Sequence, residues 1–150
     1  MEINKFMMEV KYSCDGERKL YKTSPNAAGY ELFSSTSFEI LPSEIKKLPT
    51  GVVLKLPDAL YAQIAEKSSV SLRGLSVRAG VIDSDYRGQI FVVLQNTSDQ
   101  KIEWKRECAI AQLIFHSRMN ATLIKMNYIS EETYHGKKGF GECTELNKQF

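Results

Sequence analysis

Between residues 79 and 88 the chain reads Ala79-Gly80-Val81-Ile82-Asp83-Ser84-Asp85-Tyr86-Arg87-Gly88, which gathers two carboxylates, a phenol and a guanidinium in one turn. Leu75-Ser76-Val77 precedes it and Ile90-Phe91-Val92-Val93-Leu94 follows, so the stretch reads as the tip of an apolar hairpin. A carboxylate held on such a frame is suited to accept a proton. Upstream, Lys67-Ser68-Ser69 joins a cation to two hydroxyls where a strand gives way to a short helix. Free N–H groups and the helix dipole would favour an anion there, and the same residues would equally serve as an ordinary helix cap. Gln112 places an amide within the apolar run Ala109 to Phe115, where it either pairs across the sheet or meets a polar ligand. Near the end of the chain, Phe140 stands between Gly139 and Gly141, an aromatic face that backbone can approach closely.

These groups need a scaffold, and 150 residues suffice for one domain that buries about two thirds of the surface its unfolded chain exposes. Hydrophobic residues at 43% and charged residues at 25% place the chain among ordinary globular domains rather than disordered ones. A formal net charge of +2 argues against wrapping a nucleic acid and leaves room for a local phosphate pocket, so a mononucleotide is the better partner. Cys14, Cys108 and Cys143 are odd in number and widely spaced, which predicts reduced thiols. Neither a secretory leader nor a membrane-length apolar run is visible, and the expectation is a protein that is intracellular, cytoplasmic or nuclear, not secreted and not in a membrane. His116 and His135 lack a His or Cys partner at zinc-ligand spacing.

Short strand-like runs separated by turn residues predict an all-β domain of sandwich or jelly-roll type. Val52, Leu54 and Leu56 alternate after Pro49-Thr50-Gly51; Tyr61 to Ala65, Phe91 to Gln95 and Ala109 to His116 follow; and Thr122 to Met126 reads as a late strand. The β domain is expected over residues 1–129. From Ser130 the sequence becomes polar and rich in Lys and Gly, which predicts a flexible C-terminal arm over residues 130–150.

The hairpin closely resembles the third motif, GVIDxDYRG, of the trimeric dUTPase family. Four further stretches resemble that family's motifs in order. Ala27-Ala28-Gly29-Tyr30-Glu31-Leu32 is similar to AxGYDL, with Glu31 in place of Asp; Glu66-Lys67-Ser68-Ser69-Val70 stands where PRSGL is usual, with Lys67 for Arg and Ser69 for Gly. Ala109-Ile110-Ala111-Gln112-Leu113-Ile114 matches the second half of GDRIAQLI, Glu107-Cys108-Ala109 replacing Gly-Asp-Arg. His135 to Thr144 is similar to the arm RGxGGFGSTG, with His135 for Arg and Glu142-Cys143 for Ser-Thr. The resemblance runs from about Met8 to Thr144 and implies a distorted jelly-roll or β-barrel subunit with one short helix, assembling as a homotrimer.

It also implies a dUTP diphosphatase that converts dUTP to dUMP and pyrophosphate, keeping uracil out of DNA and supplying dUMP for dTMP synthesis. On this reading Asp83 activates water and meets the deoxyribose 3′-hydroxyl, and Tyr86 packs under the sugar, leaving no room for a 2′-hydroxyl. Backbone groups of Gly80, Val81 and Ile82 read uracil. Lys67, Ser68, Ser69 and Gln112 hold phosphates, His135, Phe140 and Gly141 close over the substrate, and Glu31 touches Mg2+ indirectly, through water. Arg87 and Asp85 are expected to pair and brace the hairpin. Two alternatives accompany this reading. The altered arm would also suit a catalytically impaired, dUTPase-derived interaction or regulatory protein. A dCTP deaminase of the same fold would need a carboxylate on the strand after the hairpin, and Gln89 to Gln95 offers none.

Overall fold

The computed structural model describes residues 7–129 and Thr133; His135, Phe140 and Gly141, with the rest of the expected arm motif, lie outside the described residues. By compactness the chain divides into Met1–Met119 and Asn120–Phe150. The first unit carries ten strands and one turn of helix among its described residues: β1 Lys11–Ser13, β2 Tyr30–Phe33, β3 Phe38–Ile40, β4 Ile45–Lys55, β5 Leu60–Ala65, α1 Ser68–Ser71, β6 Leu75–Val77, β7 Val81–Ile82, β8 Gln89–Asn96, β9 Ile102–Trp104 and β10 Ala109–Ser117.

Two four-stranded antiparallel sheets, in the orders β1-β4-β8-β6 and β2-β10-β5-β7, supply one core, and β3 pairs with β9 in a small third sheet. Period-two patterning explains how they meet. On β8, Ile90, Val92, Leu94 and Asn96 point inward while the residues between them are half-buried. Val52 and Leu54 on the neighbouring strand β4, with Leu56 just beyond it, add a second buried row, as their alternation predicts, and Leu32, Ala62, Ile64, Ile110 and Leu113 close the core from the second sheet. Each fully buried aliphatic side chain in such a core contributes roughly 1.5–3 kcal/mol through water exclusion. The buried Asn96 is satisfied on both sides of its amide. Its Nδ2 donates to Ile40 O at 3.0 Å and Gln100 O at 2.7 Å, and its Oδ1 accepts from Ser98 N and Oγ at 3.0 and 2.7 Å.

Pro49-Thr50-Gly51, expected to precede a strand, instead lies inside β4 as a bulge between Pro49 and Val53. Pro49 pairs with Phe91 on one side only, because β1 reaches no further along β4 than Val53, so the missing proline N–H breaks no ladder. Gly51 takes φ 72°, and Thr50 Oγ1 donates to Ile90 O at 2.7 Å to hold the bulge against β8.

The late strand expected at Thr122 to Met126 does not form. These residues belong to no strand, and Leu123, Ile124 and Met126 are exposed. Alternation can make a strand only where a free sheet edge accepts its backbone, and no strand among the described residues pairs with that segment. No helix among the described residues is long and apolar enough to cross a membrane.

The chain passes repeatedly between the sheets, from β5 through α1 to β6, then to β7 and back to β8. The connections carrying Lys67 and Asp83 therefore sit at sheet rims.

Candidate active site

Asp83 directly follows β7, which is the edge of its sheet and pairs with β5 alone, Ala62 opposite Ile82 and Gln63 opposite Val81. The other edge of β7 faces no strand among the described residues, while on the β5 side the Gly80 carbonyl accepts Ile64 N at 2.7 Å. The turn is tight. Tyr86 N donates to Asp83 O at 3.2 Å, the Tyr86 hydroxyl donates to Gln89 O at 2.8 Å, and the phenol ring lies so close across Gly88 that a methyl group there would overlap it. Arg87 Nη1 donates to Ser84 O at 2.7 Å and Tyr86 O at 2.9 Å. The expected Asp85–Arg87 ion pair is absent among the described residues, because the guanidinium satisfies turn carbonyls that no strand reaches. Asp83 itself is exposed, and no donor among the described residues engages its carboxylate. Beside it lies a cavity of about 220 Å³ lined by Val81, Ile82, Asp83, Tyr86 and Gln89 among others. Complete small-molecule sites run from roughly 300 Å³ upward, so this cavity holds only part of a ligand.

A second group of residues assembles around β10. Gln112 stands in register with Glu31 of β2 on one side and Ala65 of β5 on the other. That row brings Glu31, Gln112 and the segment after Ala65 side by side. Lys67 Nζ meets Glu31 Oε1 at 2.6 Å, with Glu31 almost fully buried. Gln112 Nε2 donates to Glu66 O at 2.8 Å, and its side chain crosses Gly29 so closely that a Cβ there would sit 2.5 Å from Oε1. A glycine is required for that approach.

Ser68 and Ser69 are exposed at the start of α1. Both readings of this helix start change. Lys67, not a serine, occupies the N-cap and no side chain caps the helix; and α1 is a single turn of four residues, too short for a substantial dipole. What it offers an anion is exposed hydroxyls and a cation. Glu66, which sequence reasoning passed over, turns out to be engaged on both carboxylate oxygens. Its Oε1 accepts from Val77 N and Ser76 Oγ, each at 3.0 Å, and its Oε2 from Ser71 Oγ at 3.4 Å. The Val77 N–H foremost, then the serine hydroxyls, lower its pKa below the ordinary glutamate value. The sequence signal was present only as a carboxylate where the resembled family has proline.

The two groups do not meet within one chain. Asp83 follows Ile82 and so lies level with Tyr61, whereas Lys67 lies beyond Ala65, at the other end of β5. Six residues of extended strand separate the two levels by about 20 Å.

An antiparallel jelly roll with an unengaged carboxylate on a turn between its sheets, and a cation, hydroxyls and an amide at the other end of β5, is the kind of arrangement that suits an all-β nucleotide hydrolase, and the comparisons with known proteins place the chain in that class. The model of the dUTPase family matches residues 18–144. The deoxyuridine 5′-triphosphate nucleotidohydrolase of vaccinia virus (strain Copenhagen) is 36% identical over 120 residues, covering 80% of this chain and 81% of its own. Among solved structures, a Staphylococcus bacteriophage 80alpha dUTPase with dUPNHPP superposes with a TM-score of 0.81 at 19% identity, over 90% of this chain and 98% of that one. A mutant dUTPase from phage phi11 of S. aureus, described with a structural Mg(II) ion, gives a TM-score of 0.75 at 17% identity over 83% and 100%. The chain belongs to the dUTPase family. Its activity is dUTP diphosphatase, the hydrolysis of dUTP to dUMP and pyrophosphate, and the interaction-protein alternative is not favoured.

Proposed function

We propose that Asp83 is the base of this reaction and that each site is completed by other copies of the chain in a homotrimer. The observation that carries the reading is the unengaged Asp83 carboxylate beside a cavity of about 220 Å³ that also presents Tyr86 and an open strand edge. Backbone groups of Gly80, Val81 and Ile82 read the uracil edge, and Tyr86 lies under the deoxyribose. Asp83 accepts a proton from water as the water oxygen bonds to the α-phosphorus. The bond from that phosphorus to the bridging oxygen breaks, and pyrophosphate departs with the electron pair. Lys67, Ser68, Ser69 and Gln112 of a neighbouring chain hold the phosphates, which the separation of about 20 Å along β5 supports. His135, Phe140 and Gly141 of the arm over residues 130–150 close on the base.

Magnesium belongs to the same proposal. Only one oxygen of Glu31 is engaged by Lys67, and no described cluster of three or more His, Cys, Asp or Glu forms a metal cage. That donor set fits a water-mediated contact from Glu31 to magnesium chelated by the phosphates. When bound, magnesium offsets the charge developing on the pyrophosphate. Free Cys14 and Cys108 support an intracellular, cytoplasmic or nuclear location, where dUTP is met. The purified protein with magnesium is expected to release pyrophosphate from dUTP and not from dTTP or UTP, and Asp83→Asn to abolish the release while the fold persists. Undiminished turnover by Asp83→Asn would remove the assigned base. Truncation before Ser130 that leaves kcat/KM unchanged would remove the role of Phe140.

A further inference from the structure

The phosphate loop has a fastening that neither the hydrolytic reaction nor the five motifs account for. Glu66 is exposed, yet three donors converge on its carboxylate. Val77 N and Ser76 Oγ each donate to Oε1 at 3.0 Å, and Ser71 Oγ donates to Oε2 at 3.4 Å. Its main-chain carbonyl meanwhile accepts the Gln112 side-chain amide at 2.8 Å. One residue thus ties four pieces together: the end of β5, the end of α1, strand β6 that leads toward the Asp83 turn, and the amide on β10. β6 is fixed in turn, since it pairs with β8 and Arg78 N donates to Val93 O at 2.9 Å.

Each bond has a consequence for the residues beside it. Lys67 and Ser68 follow Glu66 directly, so anchoring the Glu66 side chain to β6 fixes where the backbone turns out of β5 and where the Lys67 stem begins. The Glu66 carbonyl, held in that orientation, receives Nε2 of Gln112 and leaves Oε1 against Gly29. The Gln112 amide therefore has one orientation rather than two. An ionised carboxylate is a pure acceptor and matches three donors without conflict. A proline at this position could make none of the side-chain bonds.

We propose that Glu66 is the positioning residue of the phosphate loop, its carboxylate clasping β6 and Ser71 while its carbonyl orients Gln112, and that it thereby sets affinity for the triphosphate of dUTP. The proposal rests on the dUTP reading above. Steady-state kinetics with dUTP and magnesium, together with the side-chain amide resonance of Gln112 in the nitrogen-15-labelled protein, test it. Glu66→Ala is expected to raise KM about tenfold with kcat within about threefold, the pattern of lost uniform binding, and to shift the Gln112 resonance. Glu66→Gln keeps an oxygen for Val77 N–H and is expected to recover most of the KM. If Glu66→Ala does not fold, Glu66→Gln and Ser76→Ala carry the same comparison, each with a smaller rise in KM and a smaller shift. A folded Glu66→Ala with unchanged KM and an unmoved Gln112 resonance overturns the clasp and leaves the dUTP reading standing. So does a lowered melting temperature with KM unchanged, which would make Glu66 merely structural. Absence of turnover in the unmutated protein overturns the dUTP reading instead, and the Gln112 resonance then decides the clasp alone: a shift in Glu66→Ala upholds it, and none overturns it.

Discussion

Each side-chain hydrogen bond that braces the Asp83 turn spans three residues or fewer, whereas those tying the Lys67 loop to its surroundings span from 5 to 46. The turn carries its own instructions: Arg87 and Tyr86 cap carbonyls of the same turn, so the geometry around Asp83 follows from one short stretch of chain. The loop borrows its shape from β2, β6 and β10. A locally braced element tolerates little change within itself. A distributed one depends on residues far apart in the chain fitting one another, as the Glu31 carboxylate and Lys67 do at 2.6 Å.

The largest effect expected from this contrast is at Asp83. Replacement by Asn should lower kcat about a thousandfold or more, measured as pyrophosphate release, with the melting temperature nearly unchanged because no described donor depends on the carboxylate. A wide loss of stability in that variant would mean that the turn leans on Asp83 after all. Lys67→Ala comes next and should differ in kind. It should raise KM for dUTP ten- to a hundredfold and also cost about 1–3 kcal/mol in denaturant titration, since Glu31 is left buried without its cation. Adding Glu31→Gln should restore stability but not KM. A smaller effect is expected at Gly29→Ala, where the added methyl overlaps the Gln112 amide. The amide can swing aside, but Gln112 Cβ at 2.9 Å cannot, so backbone must give as well, and KM should rise several-fold with a modest fall in melting temperature.

The smallest concerns acid. Because the folded-state pKa of Glu66 is lowered from 4.5, the clasp is present above the ordinary glutamate range and is lost as pH falls through the lowered value. Carboxyl NMR should therefore find Glu66 titrating below the ordinary glutamate value of 4.5. A midpoint at or above 4.5 would contradict the three donors.

The same contrast explains what was legible in the sequence. The turn at Asp83 could be read because its determinants are contiguous, although it is not the hairpin tip expected, since β7 pairs with β5 and β8 with β4 and β6 in the other sheet. Strands β5, β6, β8 and β10 could be read from apolar runs bounded by turn residues. β1 could not, since Lys11, Tyr12 and Ser13 are all exposed and show no alternation; its pairing with β4 decides it. The continuity of β4 through Pro49 was hidden because it depends on which neighbour stands beside the proline. Thr122 to Met126 failed in the opposite direction, having the pattern of a strand and, among the described residues, no strand that pairs with it. At the candidate site, residue types singled out Asp83, Tyr86, Lys67 and Gln112 as candidates, whereas the contacts of Glu66 arise from β6 and β10 arriving beside it. Arg87 was read as an ion-pair partner because sequence shows charges, not unsatisfied carbonyls.

The distance along β5 between the levels of Asp83 and Lys67 has a genetic meaning. If each site draws its base from one copy and its phosphate grip from another, a lesion in one gene copy is felt in the sites of its neighbours. Two variant proteins, one lacking Asp83 and therefore silent and one lacking Lys67 and therefore weak at low dUTP, would regain turnover at low dUTP when mixed and reassembled, because some sites would then combine the sound half of each. Inheritance of activity would follow the assembly and not the chain.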